Sequence, residues 1–550
     1  MVPAAVCLAA ALAAGSCSKG SGNEGSSPAA SVAPAAAVAL TNDDTAGDPK
    51  SGGNLIYGLG AETDGWNPWH NRFAGSSYTV ASTFYDPLFT YDPAGTPQPY
   101  LVEKSTSSAD FKEWTLTLRS GVSFHNGEKL DAAAVKTNWE VGRTSPLVGA
   151  AFSAMDKITG EPGSLDVKVT MTRPWSTFPH ALTSQLGYLT APSRLATDGG
   201  KAPAVSREPI GTGPFKFDSW ITDSNLKVSR APNYWRKEHP AYLDSIEFRV
   251  ITDQSGRGSS LISGDIDAME TSDPQQLIKF RAEAPATYQY FTNQGADADE
   301  TFIGLNTSKP PFDDPLARQI LAYGVDTESL AASAYQGEFT PARGPFQESS
   351  PFFVETDYPR YDLSKAKSLH EEYKKKNGGN PLKFNALIPP GTEYQTIAQS
   401  LQSQALESGV EVTIVALEQT QLIVRVLGGD FEATGFILFG SPLIDREYVF
   451  IASPPVAAPL ISLNFTRNKN DTLIKAMDDA RATDDPAKQR ELYAIVQKEM
   501  AKDLAFIFLV HNRSAVVSSK KIHGLTKPTL PGGKPSQVSV TPSFFEVWKS

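Results

Sequence analysis

Both cysteines of the chain, Cys7 and Cys17, fall at its extreme start, so everything beyond Cys17 must hold its fold without a disulfide or a thiolate-bound metal. Apolar burial and hydrogen bonding are what remain to stabilise it. At 550 residues the chain is too long for one hydrophobic core. Length alone predicts roughly two to four domains. A long body free of thiols also excludes a cysteine nucleophile and meets no oxidation problem outside a cell.

The chain opens MVPAAVCLAAALAAGSCSKGSG. The apolar run from Met1 to Ala14 has the length of a signal-peptide core and is too short to cross a bilayer as a helix. It ends in the small residues Ala13, Ala14, Gly15 and Ser16 directly before Cys17, an arrangement that resembles a bacterial lipobox. The resemblance implies residues 1–17 as signal peptide and a lipid on Cys17 that anchors the exported protein to the outer face of the cell membrane. Ala14 stands where the motif usually has Leu. No Lys or Arg precedes the apolar run, which leaves open a start codon farther upstream. A plain secretory peptide with an incidental cysteine is the alternative. Residues 18–50 turn to Ser, Gly, Ala, Pro and Asp, too poor in apolar surface to offset ordering entropy, so a disordered tether is expected there.

A formal net charge of −11 argues against nucleic acid as a partner, because that binding relies on Lys and Arg displacing counterions. No basic amphipathic stretch and no second apolar span follow the start, so the only membrane attachment expected is the lipid. Past residue 50, strand and helix signals alternate. Trp114, Leu116 and Leu118 share one face of a predicted strand, and Leu165, Val167, Val169 and Met171 alternate likewise. Asp131 is placed to cap a helix carrying Val135 and Trp139, with Gly142 as its stop. Asp314–Pro315 and Asp485–Pro486 read as caps followed by a proline in the first turn, the second helix running to about Met500; Ser364 reads as the cap of a helix ending at Gly378 and Gly379. Such mixing predicts α/β lobes.

WTLTLRSGVSFHNGEKLDAAAVKTNW, from Trp114 to Trp139, closely resembles the hallmark of the family 5 solute-binding proteins, with Arg119, Phe124, His125, Asn126, Gly127 and Asp131 at its key positions. FYDPLFTYD precedes it at Phe84 to Asp92. GTGPFKFDSW (Gly211 to Trp220), NYW (Asn233 to Trp235), GDIDAME (Gly264 to Glu270) and DDPLARQILAYGVD within Asn306 to Asp326 follow in the expected order, as does the helix after Asp485. The resemblance covers about residues 52–550. It implies an α/β, class II periplasmic-binding-protein (Venus-flytrap) fold: lobe I from 51–93, 210–302 and 505–550, an extra domain from 94–209, and lobe II from 303–504. It further implies a monomer that captures a small molecule or peptide and delivers it to an ABC permease and its ATPase, with no cofactor and no catalysis.

The residue chemistry agrees with a binder. His125 and Asn126 belong to a turn, Gly127 supplying a positive φ. Gly211, Thr212 and Gly213 lead into a strand, where a phosphate cradle would need a helix. His370 and Glu371 lack the second histidine of a zinc-protease helix, and the histidines are scattered, so no metal is expected. Ser518 and Lys521 form an SxxK in a region that reads as strand and turn. The rival class, a secreted hydrolase, predicts a nucleophile elbow or metal motif that the sequence does not contain. Two stretches are expected at the ligand: Glu62, Thr63 and Trp66 within AETDGWNPW, and Phe436, Phe439, Ser441 and Asp445 within GFILFGSPLIDREY. Peptide receptors of the family carry an aspartate in the second stretch to hold the ligand's amino group. Its expected position falls near Ser441, with Asp445 four residues later, either as the anchor or as a solvated loop residue. Phe436 and Phe439 read equally as ligand contacts or core. Phenylalanines without a fixed acid would suit an apolar or anionic solute, such as an aromatic organic acid. Arg343 is a further candidate, as partner to a ligand carboxylate.

Overall fold

The computed structural model describes residues 47–550 apart from 74, 196–205, 285, 293–297, 390–391, 439, 441–442 and 453–462. Cys17 and the tether up to residue 46 therefore lie outside the described residues, as do Phe439 and Ser441. No described helix is long and apolar enough to cross a membrane.

Two mixed sheets organise the body. The first orders its strands Tyr288–Thr292, Ala515–Ser519, Ala268–Thr271, Asn54–Leu59, Ser245–Val250, Asn225–Arg230 and Phe215–Ile221. The second runs Thr340–Pro341, Phe506–His511, Glu300–Leu305, Ala433–Leu438, Lys383–Ile388 and Glu411–Ala416. A separate antiparallel sheet, Val102–Ser107, Glu113–Leu118, Asp166–Met171 and Met155–Thr159, forms the extra domain. Trp114, Leu116, Leu118, Val167, Val169 and Met171 are all buried there, as their alternation predicts.

The expected lobe I segments 210–302 and 505–550 need correcting. Glu300–Leu305 and Phe506–His511 pair with each other in the second sheet, so the chain passes between the lobes between Thr292 and Glu300 and again between His511 and Ala515. The sequence FIFLVH explains the placement: it is buried along its whole length, as a central strand hydrogen-bonded on both sides requires.

Asp131, Asp314 and Asp485 cap their helices by accepting from Ala134, Leu316 and Ala487 backbone N–H groups. Two other helix signals resolve differently. The helix begun at Asp131 continues to Thr144, and Gly142 sits inside it because a Cβ there would come within 2.8 Å of Phe152 and 2.9 Å of Trp69. Asp362, two residues before Ser364, is the cap of Leu363–Lys376 and accepts from Lys365.

The hallmark turn docks on the GTGPF turn. His125 donates from its backbone to Gly211 O (2.9 Å) and from Nε2 to Gly213 O (2.9 Å). Burial holds the His125 imidazole down at about 4, so it is neutral and structural at pH 7. A Cβ at Gly211 would overlap Phe84 O at 1.9 Å, which is why glycine stands there. Next to it Asp86 accepts from Thr212 Oγ1 (3.1 Å), Tyr234 OH (3.0 Å) and Trp235 Nε1 (2.7 Å), joining the FYDPL, GTGPF and NYW segments at one buried carboxyl.

Candidate functional site

In lobe I the strands Asn54–Leu59, Ser245–Val250 and Ala268–Thr271 run parallel, so their carboxyl ends emerge on one edge. In lobe II, Lys383–Ile388, Glu411–Ala416 and Ala433–Leu438 do the same. A chain that leaves a parallel strand to start a helix exposes loop backbone and helix N-termini at that edge, where α/β proteins bind ligands. The two edges meet across a cleft of about 2190 Å³, lined by Gly60, Asp253 and Ser272 from lobe I and by Pro389, Glu418 and Gly440 from lobe II. Pockets for drug-sized molecules occupy about 300–1,000 Å³. This one has room for a longer or bulkier solute.

Of the first predicted stretch, Glu62 lines the cleft, held in place by Trp220 Nε1 (2.6 Å) and the Asp223 amide (2.8 Å). Thr63 turns inward and donates to Gly65 O (3.0 Å) and Arg72 O (2.8 Å). Trp66 is core, packed edge-on against Phe84 and Trp220 and tilted against Phe73. Arg343 lies outside the cleft lining and ion-pairs with Glu328 at 2.6 Å. Phe436 belongs to Ala433–Leu438 and pairs through its backbone with Phe302.

Asp445 corrects both readings made of it. It is 4% exposed and does not line the cleft. Its carboxylate takes Thr177 Oγ1 (2.6 Å) and Trp175 Nε1 (3.2 Å) from the extra domain and ion-pairs with Arg481 of lobe II. Around this pair, Arg173 meets Asp478 at 3.1 Å, and Ser176 donates its amide to Arg481 O and its hydroxyl to Thr483 O, both at 2.6 Å. The Arg481 guanidinium stacks on Tyr448 at 3.6 Å and on Trp175 at 4.6 Å. Loop 173–177 is thereby fastened to lobe II.

Other groups take up the cleft. Glu270 receives the Gly60 amide (3.0 Å) and the Ser76 hydroxyl. Asp299, beside the crossing into lobe II, accepts from Gly440 N at 2.7 Å, and burial raises its pKa. Arg446 reaches the lining beside Tyr78. Behind it Glu447 is buried and pushed up to about 8, and desolvation also holds Glu300 far above the usual carboxylate range. The segment Leu525–Ser543 supplies much of one wall. It is irregular backbone, without the periodicity or cap signals that would have marked it in the sequence. Among the described residues no cluster of three or more His, Cys, Asp or Glu is arranged to hold a metal ion. His370 accepts the Leu382 amide at 3.0 Å, a structural role.

A sequence profile of the bacterial extracellular solute-binding proteins, family 5 Middle, matches residues 96–450. The glutathione-binding protein GsiB of Pectobacterium atrosepticum is 29% identical over 472 residues, covering 82% of this chain and 87% of that protein. Among solved structures, the chain is similar to the binding protein AgaA of A. tumefaciens R10 in complex with agropinic acid, with a TM-score of 0.78 and 22% identity over 90% of this chain and 99% of that one. It is also similar to the oligopeptide-binding protein AppA of Bacillus subtilis in complex with a nonapeptide, with a TM-score of 0.77 and 22% identity over 92% and 100% of the two chains. These structural likenesses carry the fold, a Venus flytrap of two α/β lobes.

Proposed function

The chain belongs to the bacterial extracellular solute-binding proteins of family 5, and from that premise we propose that it is the receptor of an ABC importer, a monomer that captures a peptide or another small organic solute between its lobes and hands it to the permease. The observation that carries this reading is the cleft of about 2190 Å³ walled by both lobes. A solute touching both walls stabilises the closed arrangement by its differential affinity for closed over open, which is what makes loading legible to a permease. The acids on its walls, Glu62, Glu270 and Asp299, favour a solute with an ammonium group over a purely apolar one. The names of the similar proteins span glutathione, agropinic acid and a nonapeptide, so size alone leaves a wide choice.

A thermal-shift screen of the purified protein against di- to hexapeptides, glutathione, aromatic acids, sugars and divalent metals tests the reading. A ligand at 100 times its dissociation constant stabilises by about 2.7 kcal/mol, well within detection. Stabilisation by peptides supports the proposal. Stabilisation only by apolar acids moves the solute class, and silence across the panel counts against a receptor for small organic solutes.

The lipobox-like start supports a lipid on Cys17 as the tie to the membrane surface. Cys17→Ala is expected to shift the protein from the membrane fraction to the medium, or to leave its precursor uncleaved. Unchanged membrane association and processing would remove the anchor from the proposal.

A further inference from the structure

Three consecutive residues of the short helical segment Ile444–Glu447 and its start go different ways. Asp445 turns toward Arg481, Glu447 is buried, and Arg446 between them lines the cleft. The other arginine on the cleft wall, Arg257, is engaged by its own lobe, donating to Glu270 O (2.9 Å) and to Ile251 O. Arg446 is held differently: its side chain hydrogen-bonds the Tyr78 hydroxyl, and among the described residues it forms no ion pair within 4.0 Å. Its neighbours are the Tyr78 hydroxyl from helix Gly75–Phe84 of lobe I, Tyr91, and the carboxyls of Asp299 and Glu447 farther off. Asp299 already accepts the Gly440 amide, and Glu447, buried at 5% exposure, is held toward its neutral form. The guanidinium thus lines the cleft with no carboxylate in ion-pair contact among the described residues. A planar fork of N–H donors in that state is matched by a carboxylate, which takes two parallel bonds from it.

We propose that Arg446 is the anchor for a carboxylate of the imported solute, with the Tyr78 hydroxyl as a second donor from the opposite lobe. This rests on the receptor reading and narrows it to solutes carrying a free carboxylate. The arrangement also gives that group a mechanical role. Tyr78 belongs to lobe I and Arg446 to lobe II, so a carboxylate held by both contacts the two lobes at once and favours closure. Tyr188, at 6.2 Å from Tyr78 between ring centroids, continues the aromatic wall of the cleft beside it.

Calorimetric titration of the purified protein with dialanine and trialanine, each as the free acid and as its C-terminal amide, tests the anchor. The wild type is expected to bind the free acid of its preferred probe at least 30-fold more tightly than the amide. Arg446→Gln should bind acid and amide equally and weakly, Arg446→Lys should keep part of the preference, and Tyr78→Phe should lose several-fold on the acid alone. The melting temperatures of the unliganded variants report whether each remains folded. Equal affinity for acid and amide in the wild type, or a preference that survives in Arg446→Gln, overturns the anchor and leaves the receptor reading standing. Binding confined to carboxylate-free sugars in the wider panel does the same. Failure of every solute class to bind counts against both.

Discussion

Asp445→Ala is expected to cost the folded protein about 3–5 kcal/mol, the usual penalty for stranding one partner of a buried ion pair. Arg481 is 5% exposed and would keep its charge with the carboxylate gone, while Trp175 Nε1 and Thr177 Oγ1 would lose their acceptor in the same step. Asp445→Asn keeps one acceptor oxygen while losing the charge and the second acceptor, so a smaller loss is expected. The location of the damage is specific. Trp175 and Thr177 belong to the extra domain, and Asp445 and Arg481 to lobe II, so amide exchange should accelerate at 173–177 and 443–448 more than in the lobe I sheet. Thermal unfolding with hydrogen exchange read by mass spectrometry measures both. If unliganded Asp445→Ala were instead as stable as wild type, within about 0.5 kcal/mol as for ordinary surface changes, the carboxylate would be free to serve a ligand after all. Weakening the fastening also frees lobe II from the extra domain, which connects a stability measurement to the opening of the cleft.

What the sequence disclosed follows the range of the interactions involved. Asp131, Asp314 and Asp485 were readable as caps because a cap bonds an amide two or three residues away. Ser364 misled because Asp362 competes for the same helix start and takes it. Gly142 resembled a stop, yet its reason for being glycine is the approach of Phe152 and Trp69, a contact no local pattern contains. The same holds more strongly at the site. The parallel strands whose ends build the cleft are bounded by recognisable segments, so its location was implied by the family resemblance. Its chemistry was not. Asp445 finds Trp175 across 270 positions of sequence, and Arg343, chosen by residue type and loop position, is taken by Glu328. Arg446 carries no signal in its own neighbourhood. It becomes interesting only when Tyr78 is brought beside it with no carboxylate at ion-pair distance among the described residues.

Raising the pH through neutrality is expected to weaken the fold by way of Glu447. Its carboxyl is buried, and desolvation lifts it from 4.5 to about 8. Between those values the unfolded chain has released this proton while the folded one still holds it, so the contribution is complete below about pH 4.5 and lost as pH rises toward 8. The whole span amounts to about 5 kcal/mol. Facing groups complicate the lower half. Glu300, raised in the same sense, stands opposite His511, whose imidazole is held down at about 4 by burial. His511, like His125 and His180, binds a proton more readily once unfolded, so these histidines lower stability as pH falls below 6.5 and oppose the glutamates there. Above 6.5 the histidines fall silent, and Asp86, raised to about 7, adds to Glu447 in the same direction. Glu447→Gln, of equal size and permanently neutral, isolates the one group: its stability relative to wild type should rise by about 2 kcal/mol between pH 6.5 and 8 in denaturant titrations. A difference that stays flat over that window would mean Glu447 is ionised in the folded protein, and its charge would then neutralise Arg446. The proposed anchor would lose the field that makes it attract a carboxylate, so one titration bears on the fold and on the ligand together.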